Sequence, residues 1–177
     1  MRIAVESYEL YNNNILVNKW FDTEEDSIEE VYEYIEEVHR ENGFDDSDLE
    51  LFVADFEDEY NVYSGESVET AYEISEKLED LDDYDKEAVG ILIDNGLVND
   101  ILEAIDQREN IFCTGETTME AVAEKYIEET GALDAMQEGL KIYFDYEAFG
   151  NDLDISGSYY EGDDGVIWEY IKWVLKE

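Results

Sequence analysis

The 51 Asp and Glu residues outnumber the 10 Lys and Arg by enough to leave a formal net charge of −41. That imbalance constrains the fold before any motif is considered, because like charges held in one compact body repel. The excess is no appended tail: it amounts to −17 over residues 1–63, −11 over 64–108 and −13 over 109–177. A chain so charged can fold only by burying enough apolar surface. Hydrophobic residues make up 44% and aromatic residues 14%, far more than a disordered acidic segment carries, so a packed core is expected. There is no proline, which leaves turns and helix ends to Gly, Asn and Asp.

The same charge bounds the partners. Nucleic acid and anionic membranes are excluded as ligands, and a basic partner is expected. B-DNA carries one negative charge per ~1.7 Å of axis, so a net −41 equals about 70 Å of duplex. A compact body of this length would expose about 9,000 Å², or roughly 220 Å² per net charge. A DNA cylinder has about half that area per charge. An elongated body with its acids along a ribbon comes closer, so elongation is expected.

Hydrophobic periodicity gives an α+β pattern in three small domains, 1–63, 64–108 and 109–177. In the first, strands are expected over 2–8, 15–21 and 50–56, with Tyr11–Asn14 as a hairpin loop. Thr23 is expected to cap a helix, with Asp26 in the capping-box position. Ile28, Tyr32, Ile35 and His39 form its apolar stripe, with Val31 and Val38 beside them. The central domain is helical: Val68, Ala71, Tyr72, Ser75 and Leu78 make one stripe, and Asn95-Gly96 ends a second helix. The third domain combines a strand at 111–113, a helix over 118–130 stopped by Gly131 and a helix over 139–149 stopped by Gly150. Strands are expected over 153–174, turning at Gly157 and at Gly162–Gly165, with a helix as the alternative for the last stretch.

The helix after Thr23 shows what the charge is doing. Glu25/Glu29, Asp26/Glu30, Glu29/Glu33 and Glu33/Glu37 are like-charge pairs at i,i+4, costing together roughly 1–2 kcal/mol. Only Arg40, within reach of Glu36 and Glu37, offsets them. A surface shaped for stability would interleave Lys. The same omission recurs in Glu76, Glu79, Asp80, Asp82, Asp83 and Asp85, and again over 152–164. These two helical runs are the candidate functional surface.

Other chemistries fare poorly. His39, the one histidine, lies on an apolar stripe and is expected to be a packed residue, not a catalytic base. One cysteine, Cys113, excludes an internal disulfide framework and, with one histidine, a Cys/His zinc site. No GxGxxG or GxxxxGK[ST] phosphate loop occurs. Asp152-Leu153-Asp154-Ile155-Ser156-Gly157 with Asp163 approximates an EF-hand loop, so a calcium-binding acidic module using residues 152–163 is the alternative function. Tyr159 at position 8 and Asp163 at position 12 depart from that pattern. The N-terminus lacks an apolar signal region and no apolar run approaches 18 residues, so a cytoplasmic protein without cofactor is expected.

Tyr126–Leu133, then Tyr143-Phe144-Asp145-Tyr146-Glu147-Ala148-Phe149-Gly150-Asn151-Asp152-Leu153 and Gly157 resemble the ArdA family of antirestriction proteins. Tyr11-Asn12 through Trp20 and Ala54-Asp55-Phe56-Glu57 are also similar to it. Asn14 and Asn18 stand where the family usually has glycine, and Asn is the next most tolerant residue there. The resemblance implies an elongated, curved homodimer that is not an enzyme, a DNA mimic. Its partners would be the methyltransferase core and the full complex of Type I restriction-modification enzymes, often inhibited on behalf of a mobile element. On that basis Glu25, Asp26, Glu29, Glu30, Glu33, Glu36 and Glu37, with the acids of 76–85, are the expected DNA-mimicking surface. The block around Tyr143–Asp152 is similar to the family's antirestriction motif, which implies a dimer contact through Tyr143, Phe144, Tyr146, Ala148 and Phe149.

Overall fold

A computed structural model describes residues 1–45, 49–57, 60 and 67–171. The architecture is mixed α+β: two small three-stranded antiparallel sheets and eight α-helices among the described residues. Contacts divide the chain into two compact units, Met1–Lys86 with Val98–Ile105, and Glu87–Leu97 with Asp106–Glu177. The helices of the middle third are therefore shared between the units.

In the first unit β1 (Arg2–Ser7) is the central strand, flanked by β2 (Trp20–Asp22) and β3 (Leu51–Glu57). Alternation turns Ile3, Val5 and Ser7 inward, where they are buried. A register shift between Ala4 and Val5 in the β1–β3 pairing makes a bulge at Ala54. The strand expected over 15–21 is confined to Trp20–Asp22. Its earlier part is held differently: the buried Glu6 carboxylate accepts the Val17 N–H at 3.0 and 3.2 Å. Asn14 and Asn18 take left-handed φ of 59° and 54°, the conformation their place in the hairpin called for. The first two residues of the expected loop Tyr11–Asn14, with Tyr8 from the end of the expected first strand, are instead in a short helix, α1 (Tyr8–Asn12), not expected from the sequence.

Helix α2 (Ile28–Asn42) starts four residues later than expected. Ser27 caps it, and Glu30 completes the capping box. Thr23 stands outside the helix, in the turn before it, with its hydroxyl on Met1 O at 2.9 Å and Ser75 Oγ at 2.7 Å. Val31, Ile35 and His39 are buried, while Ile28, Tyr32 and Val38 are half-buried at the edges of that face. Helix α3 (Val68–Glu79) buries Val68, Ala71, Ile74 and Ser75. Ile74 joins the expected stripe, and Tyr72 and Leu78 lie at its margin. Helices α4 (Asp83–Asp94) and α5 (Ile101–Gln107) follow.

The second unit contains the sheet β4 (Ile111–Cys113), β6 (Ile167–Tyr170), β5 (Tyr159–Glu161), in that order. Its core includes Ile111, Val122, Ala123, Ile167, Trp168 and Tyr170. Helix α6 (Met119–Thr130) is capped by Thr118 and stopped by Gly131 at φ 64°, as expected. The single helix expected over 139–149 is instead two, α7 (Glu138–Lys141) and α8 (Tyr146–Ile155). Gly150 does not stop a helix; it lies buried within α8, where an added Cβ would come 2.4 Å from Met119 O. The expected strand start at Leu153 falls in α8, whereas the turn at Gly162–Gly165 is present between β5 and β6. Residues 172–174 of that expected stretch lie outside the described residues.

Candidate functional site

The acids singled out by spacing lie in the first unit, on the turn before α2 and on α2, at the end of α3 and around the start of α4. Two hydrogen bonds seat α2 and the turn before it against α3: Tyr32 Oη donates to Glu69 Oε1 at 2.6 Å and Tyr72 Oη to Asp26 O at 2.8 Å. As sequence position rises from 26 to 32 on one side it falls from 72 to 69 on the other, so the helices run antiparallel. The acids of α2 and α3 are thus carried by neighbouring helices. Glu29, Glu30, Glu33 and Glu37 are exposed along α2, and Glu76, Glu79 and Asp80 at the end of α3; Glu25 is exposed in the turn before α2, so the expected i,i+4 pairs Glu25/Glu29 and Asp26/Glu30 do not lie on a helix. Asp26 and Glu36 are half-buried. Asp82 and Asp83 are exposed at the head of α4, where Asp82 Oδ1 accepts from Asp85 N at 2.9 Å.

Not all of these carboxylates are equally available. Asp26 Oδ2 accepts from Asp22 N at 2.8 Å, and Glu30 Oε2 accepts from Ser27 N at 2.8 Å. Hydrogen bonds from Ser27, aided by the Lys19 charge, hold the Glu30 carboxyl below the usual range. Glu69, overlooked in the sequence, belongs to the surface. Hydrogen bonds from the hydroxyls of Ser67 and Tyr32 hold its carboxyl down. The signal for it was Ser67 as a helix cap with an acid in the first turn.

The local field registers on the tyrosines between the helices. Tyr72 is pushed up to about 12, first by burial and then by the charges of Asp26, Glu30, Asp22 and Glu29. Tyr32 is pushed up to about 12 by burial, its bond to Glu69 and that residue's charge. Both phenols stay protonated and act as donors that tie carboxylate-bearing helices together.

Cations are disposed so as to leave this surface negative. From residue 20 to 39 there is no Lys or Arg. Lys19 Nζ lies 4.4 Å from the Phe21 ring centre and 4.1 Å from that of Tyr34. In the second unit Lys125 Nζ donates to Thr114 O at 2.6 Å. Lys77, paired with Glu73 at 3.0 Å, is an exception on α3.

The expected dimer residues separate into two groups. Phe144 packs on Tyr146 and Phe149 at ring-centre distances of 4.9 and 5.8 Å, and Phe149 reaches Tyr126 at 5.8 Å. These three are half-buried within their own unit. Tyr143 is 78% exposed, and Leu140, Ile142 and Ile155, not singled out in the sequence, are 52%, 78% and 82% exposed. Ala148 is also exposed.

The alternative chemistries can be placed directly. Asp152 and Asp154 lie within helix α8, so the first positions of an EF-hand loop are helical and the calcium loop is not formed. Among the described residues no group of three or more His, Cys, Asp or Glu could hold a metal ion. His39 Nε2 lies 2.8 Å from Ser7 Oγ and Nδ1 3.0 Å from Asp45 O. A serine–histidine pair can make a nucleophile, but Ser7 and His39 are each 1% exposed. This pair staples β1 to α2. No helix among the described residues is long and apolar enough to cross a membrane.

A family model described as antirestriction protein (ArdA) matches residues 3–168. No curated protein matches the chain.

Proposed function

This chain belongs to the ArdA family of antirestriction proteins, the match spanning nearly its whole length, and from that premise we propose that it acts as a non-enzymatic DNA mimic. Antirestriction implies an encounter with restriction-modification enzymes. In the proposal the acidic α2–α3 surface occupies the basic groove in which a Type I enzyme holds DNA. The observation that carries this is the surface itself: two antiparallel helices tied by Tyr32 and Tyr72, with carboxylates toward solvent and no Lys or Arg from 20 to 39. Binding displaces the groove's counterions as DNA would, so affinity depends steeply on salt. The surface offers no base edges, so inhibition is independent of the enzyme's recognition sequence.

Three further features belong to the same proposal. The chain forms three small domains, 1–63, 64–108 and 109–177. Two chains pair through the exposed apolar surface at Tyr143 and its neighbours, giving a dimer of about −82, twice the chain's −41, the charge of roughly 140 Å of duplex. The protein works in the cytoplasm, where its targets meet DNA, in the service of a mobile element. Displacement of labelled duplex from a purified Type I methyltransferase core tests the proposal; a core that keeps its duplex at low salt and excess protein refutes it.

A further inference from the structure

The face of the first sheet turned away from α2 carries aromatic rings at both ends. Ser7 meets His39 on the α2 side, so alternation along β1 puts Arg2, Ala4 and Glu6 on the other face. Register places Glu57 opposite Arg2, Trp20 opposite Ala4 and Phe52 opposite Glu6. At one end the Arg2 guanidinium carbon lies 5.4 Å from the Trp20 ring centre, while Arg2 Nη1 donates to Glu57 Oε2 at 2.8 Å. An aromatic face and a carboxylate thus hold a guanidinium at an exposed site.

The other end carries three rings. Phe52 stacks obliquely on Tyr8 at 4.5 Å and meets Tyr11 edge-on at 5.7 Å. Tyr8 and Tyr11 stand three apart on α1 and are 43% and 53% exposed. The Glu50 backbone carbonyl, two residues before Phe52, accepts from Tyr8 N at 3.0 Å and fixes the start of α1 beside β3. Exposed rings of this kind attract cations through their faces, guanidinium above ammonium because it is planar and weakly hydrated.

We infer that Tyr8, Tyr11 and Phe52 form a seat for an arginine side chain of the partner that reaches the sheet face opposite α2, taken over the rings as Trp20 takes Arg2. The inference rests on the proposed decoy function, since it needs a partner rich in Arg. It adds what carboxylates alone lack: an anchor that does not depend on counterion release and so persists at salt concentrations that weaken the charge contacts.

The test compares Kd for the Type I methyltransferase core over a range of salt. The variants are Tyr8→Leu/Tyr11→Leu, which keeps bulk and charge but removes the rings, and Tyr8→Phe/Tyr11→Phe, which keeps them. The leucine variant is expected to bind about 4–25-fold more weakly at every salt, from roughly 2–5-fold per ring, with an unchanged salt slope. The phenylalanine variant binds as wild type. A leucine variant equal to wild type overturns the seat while the decoy stands. Equal loss in both variants assigns the effect to the hydroxyls and also overturns it. Failure of the wild type to bind at low salt removes the decoy function, and the seat with it.

Discussion

Replacing Gly150 by alanine tests the packing of α8 on α6 with a change of one methyl group. Inside a helix alanine is favoured over glycine by about 1 kcal/mol, so helix propensity alone predicts a stabler protein. The structure predicts the reverse. The new Cβ would lie 2.4 Å from Met119 O, 2.6 Å from Met119 C and 3.0 Å from Glu120 N. All three atoms are backbone, so no rotamer change gives relief. Helix α6 is fixed at that end by its Thr118 cap, and moving it would disturb buried Val122, Ala123 and Ile127. Overpacking costs about 1–3 kcal/mol, and a rigid backbone contact belongs at the top of that range. The net loss is then about 2 kcal/mol, a fall in Tm of roughly 4–8 °C for a chain of this size. Gly139 in α7 is the control: a Cβ there meets nothing within 4 Å, so Gly139→Ala should raise Tm by about 2–4 °C. Thermal unfolding followed by circular dichroism reads both. A Gly150→Ala protein that melts with or above the wild type would refute the close-approach argument.

Other expectations follow from the acids and their neighbours. Glu33→Lys turns the repulsive pairs with Glu29 and Glu37 into attractive ones, so stability should rise by about 1 kcal/mol while inhibition of the restriction enzyme weakens; a variant that is both stabler and fully inhibitory would contradict the proposed use of this surface. Ser27→Ala removes the cap of α2 and should cost about 1 kcal/mol, measured by urea unfolding. Burial raises the Glu87 carboxyl above its ordinary 4.5, and the charges of Asp164 and Asp163 add to this. Its protonated form therefore favours the fold: the contribution is full below pH 4.5 and is lost as pH rises through the raised value. Glu87→Gln should accordingly gain Tm relative to wild type as pH climbs from 4 to 7, and a difference independent of pH would refute this. Tyr143→Ala should yield monomers in sedimentation while leaving binding to the enzyme detectable; an unchanged oligomeric state would exclude that surface as the dimer contact.

Much of the fold was legible because local signals agreed. Alternation marked β1 and β3, and Thr118 with Gly131 bounded α6. Elsewhere two local solutions were equally good and a distant residue chose. Thr23 and Ser27 both precede an acid by three residues; Ser27 caps α2, while the Thr23 hydroxyl is on Ser75, 52 residues away. The strand at 15–21 was shortened by Glu6, a side-chain acceptor that no alternation pattern reveals. Gly150 follows an apolar run in the same way whether it ends a helix or admits a neighbour.

The candidate site divides likewise. Uncompensated i,i+4 acids exposed α2 and the end of α3 to inspection. Their placement on neighbouring helices depends on Tyr32–Glu69 and Tyr72–Asp26, pairs 37 and 46 residues apart. The aromatic block 143–149 was visible as a unit, but the sequence could not separate the rings packed inside it from Tyr143, which is exposed.

The central claim is that carboxylates on this fold replace DNA phosphates in an enzyme's groove. Binding constants of the protein and of duplex DNA for one Type I methyltransferase core, measured in parallel from 50 to 200 mM salt, test it most directly. The account predicts mutually exclusive binding and two steep, similar declines, on the order of 10³–10⁵-fold for 6–10 charge contacts. Simultaneous binding of both ligands, or an affinity for the protein that salt leaves unchanged, would contradict it.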